Sequence, residues 1–270
     1  MLISNVTDLI KYFILGLVQG LAEPLPISSS AHVIIFSKVL SLNITSTFNL
    51  WVNIGSFFAL LLFFHRFLWQ LISGFFLYLF KKDKTHQTDF FYCLFIIVAL
   101  LPAALIGFIF EERLSTLQTL LIIALGEIIT GIVLILVSSL AKTDSTKEID
   151  FKTSLGVGFF QIFALLPGIS RSGITTSYAL HKKISLPKAL RFSFILYLPI
   201  SLASTFLGLI KTDFTTINIG AYLSALGASF IATTIMIQLF FKFITKERLK
   251  YFGFYCLIIG IIILFFFRSY

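Results

Sequence analysis

The sequence predicts an all-α polytopic membrane protein with an inverted-topology repeat: six transmembrane helices plus two re-entrant helical hairpins. Three observations predict it. Of 270 residues, 58% are hydrophobic and only 12% are charged, roughly half the charge of a soluble domain. Six apolar runs are long enough to cross a hydrocarbon core of ~30 Å. Two further runs are broken near their middles by small, polar, proline-containing patches, and the patches recur at a fixed spacing. A composition this apolar excludes disorder, collagen, a disulfide scaffold and a DNA-binding domain.

Taken in chain order, the first stretch, 8–40, is interrupted by Pro24-Leu-Pro-Ile-Ser-Ser-Ser-Ala-His32. Backbone freed by such a break survives at membrane depth only inside protein or along a wet cavity. A re-entrant hairpin satisfies that condition. Asp8 and Lys11 fall where the apolar core of a signal peptide would lie, so no cleavable leader is expected. A span follows at 46–64, and the polar side chains of His65, Arg66 and Gln70 suggest that 65–80 lies along the interface. Spans at 90–110 and 117–140 complete a first half, 1–141. The second stretch, 153–182, breaks at Pro167-Gly-Ile-Ser-Arg-Ser-Gly173, and spans at 191–210, 219–241 and 251–267 complete a second half, 142–270, of one integral membrane domain.

The halves are related by a weak repeat. At an offset of 142 residues Gly16 matches Gly158, Gln19 matches Gln161, Ile27 matches Ile169, Ser28 matches Ser170 and Ser30 matches Ser172. One hairpin and three crossings per half invert the second half relative to the first, an architecture that builds sites from broken helices near the midplane.

Charge orients the chain. Fifteen of the 21 basic residues fall after the first, third and fifth spans, from Arg66 to Lys84, Lys142 to Arg191 and Lys242 to Lys250; five fall on the other side, and Arg171 sits at a hairpin tip. The net charge of +9 therefore reads as positive-inside topology, not as a nucleic-acid partner. The first hairpin enters from outside and the second from the cytoplasm, so their tips can meet. Cys93 and Cys256 lie in apolar runs and read as buried small hydrophobes.

Charges within apolar sequence are costly and point to function. Gln19 and Glu23, four residues apart, share a helix face. Glu23 precedes Ser28, Ser29, Ser30 and His32, and a carboxylate, hydroxyls and an imidazole can polarise a nucleophile or hold a hard cation. The alternative is a polar turn whose groups only satisfy one another. Arg171 stands between Ser170 and Ser172, with Gly168 and Gly173 close by and Thr175 one turn on. A guanidinium fork, hydroxyl donors and glycines that admit the backbone suit phosphate oxygens. A structural ion pair with Glu23 is the competing reading. Glu127, mid-span, is expected to pair with a polar group on another helix. His65, His86 and His181 fall at loop or interface positions, which leaves His32 as the expected proton shuttle.

The segments Gln19-Gly-Leu-Ala-Glu-Pro-Leu-Pro-Ile-Ser-Ser-Ser-Ala-His32 and Pro167-Gly-Ile-Ser-Arg-Ser-Gly-Ile-Thr175 closely resemble the two signatures of the bacterial undecaprenyl-diphosphatases of the bacitracin-resistance (BacA-type) family. The resemblance covers essentially the whole chain. Gln19 stands where many members carry Glu, and Ser30-Ala31 where many carry Thr-Gly. The resemblance implies hydrolysis of undecaprenyl diphosphate at the outer face of the bacterial plasma membrane and dependence on a divalent cation, Mg2+ or Ca2+. It carries the main catalytic roles onto Glu23, His32 and Arg171, with Ser29 first among the nucleophiles that spacing leaves open (Ser28, Ser30, His32 and water are the others), and a metal role onto Glu23 and Gln19. Ser28, Ser30, Gly168, Ser170, Ser172, Gly173 and Thr175 are expected to bind substrate. The expected partners are a polyprenyl diphosphate lipid, the bilayer and, as a candidate, a second copy of the chain, with no nucleic acid.

Two other functions share these features. A lipid-phosphate flippase or small-anion transporter could use the same inverted repeat, because fold alone does not specify chemistry. The other membrane phosphatase superfamily requires a nucleophilic His after Ser-Arg and five further residues, and Ser177 stands there instead.

Overall fold

The structure, a computed structural model, describes residues 2–144, 146–211 and 217–266. Phe267, the last residue of the sixth expected span, and Arg268 lie outside them. Among the described residues there are eleven α-helices: α1 (Leu2–Ala22), α2 (Ser29–Val39), α3 (Ser46–Lys81), α4 (Gln87–Ile109), α5 (Glu111–Thr116), α6 (Leu120–Leu140), α7 (Phe151–Phe163), α8 (Arg171–His181), α9 (Leu186–Lys211), α10 (Ile219–Phe243) and α11 (Leu249–Phe266). A 3-10 turn at Lys84–His86 leads into α4. Six helical segments are long and apolar enough to cross a membrane: Thr47–Lys81, Lys84–Ile109, Leu120–Leu140, Leu186–Ile210, Ile219–Phe243 and Lys246–Phe265. They coincide with the six expected spans, and α1–α2 and α7–α8 are the two helix–turn–helix pairs.

One expectation fails. Residues 65–80 do not form a separate surface helix; they continue α3, which runs unbroken for 36 residues. No proline interrupts Ser46–Lys81, so each amide keeps its acceptor four residues back. The polar side chains of His65, Arg66 and Gln70 lie among exposed apolar ones, Trp69, Ile72 and Phe76, on the same continuous helix.

The chain forms two compact units. The first, Met1–Leu62 with Tyr197–Ile244, holds α1, α2, the start of α3, the end of α9 and α10. Here α1 lies against α10 at backbone contact: a Cβ on Gly16 would stand 2.7 Å from the Ala225 Cα, and one on Gly20 would meet Ser229 and Ala232. Small residues let helices approach where water cannot drive them together. Polar bonds add to this, since Ser56 on α3 reaches both Ser229 and Thr233 on α10 at 2.9 Å. An aromatic cluster of Tyr12, Phe48, Trp51 and Tyr222 closes one end, with edge-to-face pairs at 5.0–6.0 Å.

The second unit, Phe63–Leu196 with Thr245–Tyr270, holds the rest. Its α7 lies on α4 in the same manner as α1 on α10: Gly158 faces the Ala99 backbone, and the Ser154 hydroxyl donates to the Phe95 carbonyl. The α6–α11 pair interlocks through Gly131 against Gly253 and Gly260 against Ala124. Glu127 is fully buried in α6, on the helix that packs against α11. Asp150 caps α7 by accepting from the Thr153 amide, and its bonding to Thr153 holds its carboxyl below the usual range.

The hydrogen bonding of the two helix–turn–helix pairs recurs at the offset of 142. Helices α2 and α8 have 11 residues each and start after Ser28 and Ser170. Both end in a Schellman arrangement: Leu42 donates to the Ser37 carbonyl as Ile184 does to Ala179, and Ser41 to Lys38 as Lys183 does to Leu180. Ser41 (φ 53°) and Lys183 (φ 69°) occupy the left-handed position that glycine usually fills. A repeat faint in the side chains is therefore sharp in the backbone.

Gly16→Ala is expected to destabilise the protein by about 1–3 kcal/mol through overpacking, read as a lower Tm in detergent. Gly227→Ala, with open space around it, should leave Tm unchanged or raise it. Equal behaviour of the two variants would remove close α1–α10 contact as a source of stability.

Candidate functional site

The first unit gathers the first set of expected residues where α1 ends. The Glu23 amide still bonds the Gln19 carbonyl at 2.9 Å, so Glu23 sits at the last turn of helix before Pro24 and Pro26 force the chain to reverse. The turn then feeds α2, and the Ser29 hydroxyl donates to the Glu23 carboxylate (Oε2) at 2.6 Å. That length is typical of a charge-assisted O–H···O bond.

Gln19 clamps the same oxygen, its Nε2 donating to Glu23 Oε2 at 2.8 Å. The second proton of that amide goes to Asn53 Oδ1 on α3, also at 2.8 Å. Asn53 Nδ2 in turn donates to the Asn49 carbonyl at 2.8 Å, which fixes both amides in one orientation. The result is a directed chain of donors that ends on Glu23. Gln19 and Glu23 are almost fully buried, 1% and 7% exposed, so this charge is held by bonds in place of solvent.

His32, on the first turn of α2, is buried with Nδ1 2.7 Å from the Ser28 carbonyl. A carbonyl only accepts, so Nδ1 is the donor in this contact. The Ser28 hydroxyl lies 3.3 Å from that of exposed Ser30 and does not cap α2. The first amides of α2 are therefore not served by their own N-cap side chain.

The second unit holds the other set. Gly168, with φ 89°, turns the chain between α7 and α8; a Cβ there would also strike the Ile123 carbonyl of α6. Ser170 caps α8, its hydroxyl accepting from the Gly173 amide at 3.1 Å and lying 3.3 Å from the Ser172 hydroxyl. Arg171 is the first residue of α8 and only half-buried, while Ser172 and Gly173 are buried beside it. Thr175 turns its hydroxyl to the Arg171 carbonyl at 2.8 Å and to Ser193 on α9 at 2.7 Å. It braces α8 against α9.

Three residues join these clusters that were not among the expected ones: Asn53, Thr130 and Ser193. All are polar side chains within membrane-length helices, which is the signal by which they are found. Thr130 lies on α6 and contacts the backbone at Gly168 and Ser170.

The chemistry available is specific. The first cluster offers a hydroxyl already bonded to a carboxylate, with a buried imidazole at the start of the same helix. The second offers a cation at a helix start with hydroxyls around it, the elements of a phosphate site. Among the described residues no three His, Cys, Asp or Glu side chains converge. A divalent cation fits here only as Mg2+ often binds, on one carboxylate completed by substrate phosphate oxygens. Glu23 fits that role. Gln19 presents its amide protons to Glu23, which suits a clamp on the carboxylate better than a shared ligand.

Residues 12–262 match the family model described as bacitracin resistance protein BacA. The chain is 39% identical over 266 residues to undecaprenyl-diphosphatase 1 of Bacillus licheniformis, covering 96% of this chain and 98% of the relative. It is 36% identical to the undecaprenyl-diphosphatase of Acholeplasma laidlawii, with 95% and 96% covered, and 31% identical to that of Oceanobacillus iheyensis, with 97% and 98% covered.

The two serines that precede α2 and α8 should differ on substitution. Ser170→Ala removes a helix cap and is expected to cost about 1 kcal/mol in reversible unfolding from detergent, whereas Ser28→Ala should cost much less. Equal losses would contradict the difference in capping.

Proposed function

The chain belongs to the bacitracin resistance protein BacA family, and from that membership we propose that it is an undecaprenyl-diphosphatase: it hydrolyses undecaprenyl diphosphate to undecaprenyl phosphate and inorganic phosphate. The product is the carrier lipid returned to cell-wall synthesis. The observation that carries the chemistry is the 2.6 Å bond from the Ser29 hydroxyl to Glu23, a nucleophile and its proton acceptor already in contact.

In the proposed reaction the Ser29 oxygen attacks the terminal phosphorus and its proton passes to Glu23. The bond from that phosphorus to the bridging oxygen breaks, and undecaprenyl phosphate leaves. Water then attacks the phosphoserine, giving its proton to His32, and the bond from phosphorus to the Ser29 oxygen breaks as Ser29 takes its proton back from Glu23 and inorganic phosphate departs. His32 is suited to this step because its Nδ1 proton is anchored on the Ser28 carbonyl. Ser28 and Ser30 donate to phosphoryl oxygens at the start of α2. Arg171, with Ser170, Ser172 and the α8 amides at Gly173, neutralises the diphosphate; Gly168 lets that backbone approach closely. Transfer of this kind depends on position and charge far more than on covalent help. We assign Glu23 as the protein ligand of Mg2+ or Ca2+, which when bound supplies further neutralisation of the diphosphate.

Two further elements belong to this reading. The inverted repeat is supported by the matched pairs α1–α10 and α7–α4, and by the recurrence at 142 residues. Under it the turns after α1 and α7 are re-entrant, and the positive-inside count supports an active site on the outer side of the plasma membrane.

Detergent-solubilised protein with a C55 diphosphate and Mg2+ or Ca2+ should release phosphate, and chelation of the cation should stop it. Arg171→Ala, Ser29→Ala and Glu23→Gln should each lower kcat at least ~100-fold. A carrier that moves the lipid without cleaving it would release no phosphate at all, and that result would overturn the assignment. Normal turnover in folded Ser29→Ala protein would move the nucleophile elsewhere.

A further inference from the structure

The turn that presents Arg171 has its own anchor. On α6, Ile123, Gly126 and Thr130 occupy one face, at spacings of three and four residues. Gly126 is in backbone contact with Pro167 and Gly168, so that a Cβ there would stand 2.5 Å from the Pro167 oxygen. Ile123 supplies the carbonyl against which Gly168 packs. Thr130, 1% exposed, completes the face and does two things with one hydroxyl. It donates to the Gly168 carbonyl at 3.3 Å and accepts from the Ser170 amide at 3.0 Å.

Those two backbone groups belong to residues outside any helix, in a region where water is scarce. A hydroxyl is the smallest side-chain group that serves a donor and an acceptor together. By holding Gly168 and Ser170, Thr130 fixes the two residues that set the entry of the chain into α8. Ser170 then caps α8 and Arg171 follows as its first residue.

We propose that Thr130 is a positioning residue for Arg171: it sets where the guanidinium meets the diphosphate by clamping the turn that carries it. The inference rests on the phosphatase reading, in which Arg171 neutralises charge on the substrate. A displaced guanidinium still attracts an anion over distance, but it misses the charge that develops as the phosphoryl group transfers. The loss should therefore fall on kcat more than on KM.

The test is phosphate release by detergent-solubilised protein from a C55 diphosphate with Mg2+. Thr130→Val keeps the shape and removes both bonds; it is expected to lower kcat 10- to 100-fold with KM changed less than about 3-fold. Thr130→Ser keeps both bonds and should stay within about 3-fold of the wild type. Thr130→Ala is the second variant should the valine protein not fold. In an Arg171→Lys background, Thr130→Val should cost less than about 3-fold, because its effect passes through the side chain already altered. The same 10- to 100-fold loss in both backgrounds would mean that Thr130 only supports the fold, and a serine variant as impaired as the valine one would overturn the clamp. Wild-type turnover by Arg171→Lys alone would instead strike at the role given to Arg171, a failure separate from that of Thr130.

Discussion

A backbone group released from a helix and buried away from water must find a partner in protein, and the organisation of the two helix–turn–helix pairs follows from where the chain allows such release. It does so at the turns between α1 and α2 and between α7 and α8. Each freed group then needs a partner from protein, and the two turns find theirs differently. At the second turn the Thr130 hydroxyl takes the Gly168 carbonyl and the Ser170 amide, while Ser170 takes the Gly173 amide. At the first, Ser28 leaves the start of α2 uncapped. The one turn is held by a hydroxyl of α6 and by its own cap; the other leaves the first amides of its helix without a side-chain cap.

Much of this was legible in the sequence. Apolar length gave the six spans, because helices in lipid have little alternative to crossing it. The broken runs marked both turns, and the buried acid and the arginine marked both clusters, because charge in apolar sequence is rare enough to stand out. What failed has a physical reason. Residues 65–80 looked polar enough for a surface helix, but polarity at His65, Arg66 and Gln70 does not end a helix; only a missing amide or a competing cap does, and neither occurs before Lys81. Asn53, Thr130 and Ser193 went unremarked because single hydroxyls and amides in spans usually bond their own helix. Their partners come from other segments, which spacing along the chain does not reveal. The orientation of Gln19 was hidden likewise, since it depends on Asn53 and, beyond it, on the Asn49 carbonyl.

The repeat shows how one backbone serves two electrostatic tasks. Schellman ends, helix lengths and even the unusual left-handed residues Ser41 and Lys183 coincide at 142 residues. The side chains do not. Glu23 has Leu165 at the matching position and Arg171 has Ser29; His32 has Ile174. One copy carries a carboxylate and an imidazole, and the other carries a guanidinium.

The unbroken α3 ties the molecule to the dimension of its solvent. At 1.5 Å per residue, 36 residues extend about 54 Å. A lean of 40°, the upper end of what membrane helices adopt, still leaves a vertical reach of about 41 Å against a hydrocarbon thickness of ~30 Å. At least one end of α3 therefore stands among headgroups or beyond them. The aromatic rings at Trp69, Phe76 and Phe80 are exposed along that reach, and Lys81 and Lys82 end it. A thicker membrane would cover more of α3 with hydrocarbon, and a thinner one would leave more of its aromatic surface at headgroup level.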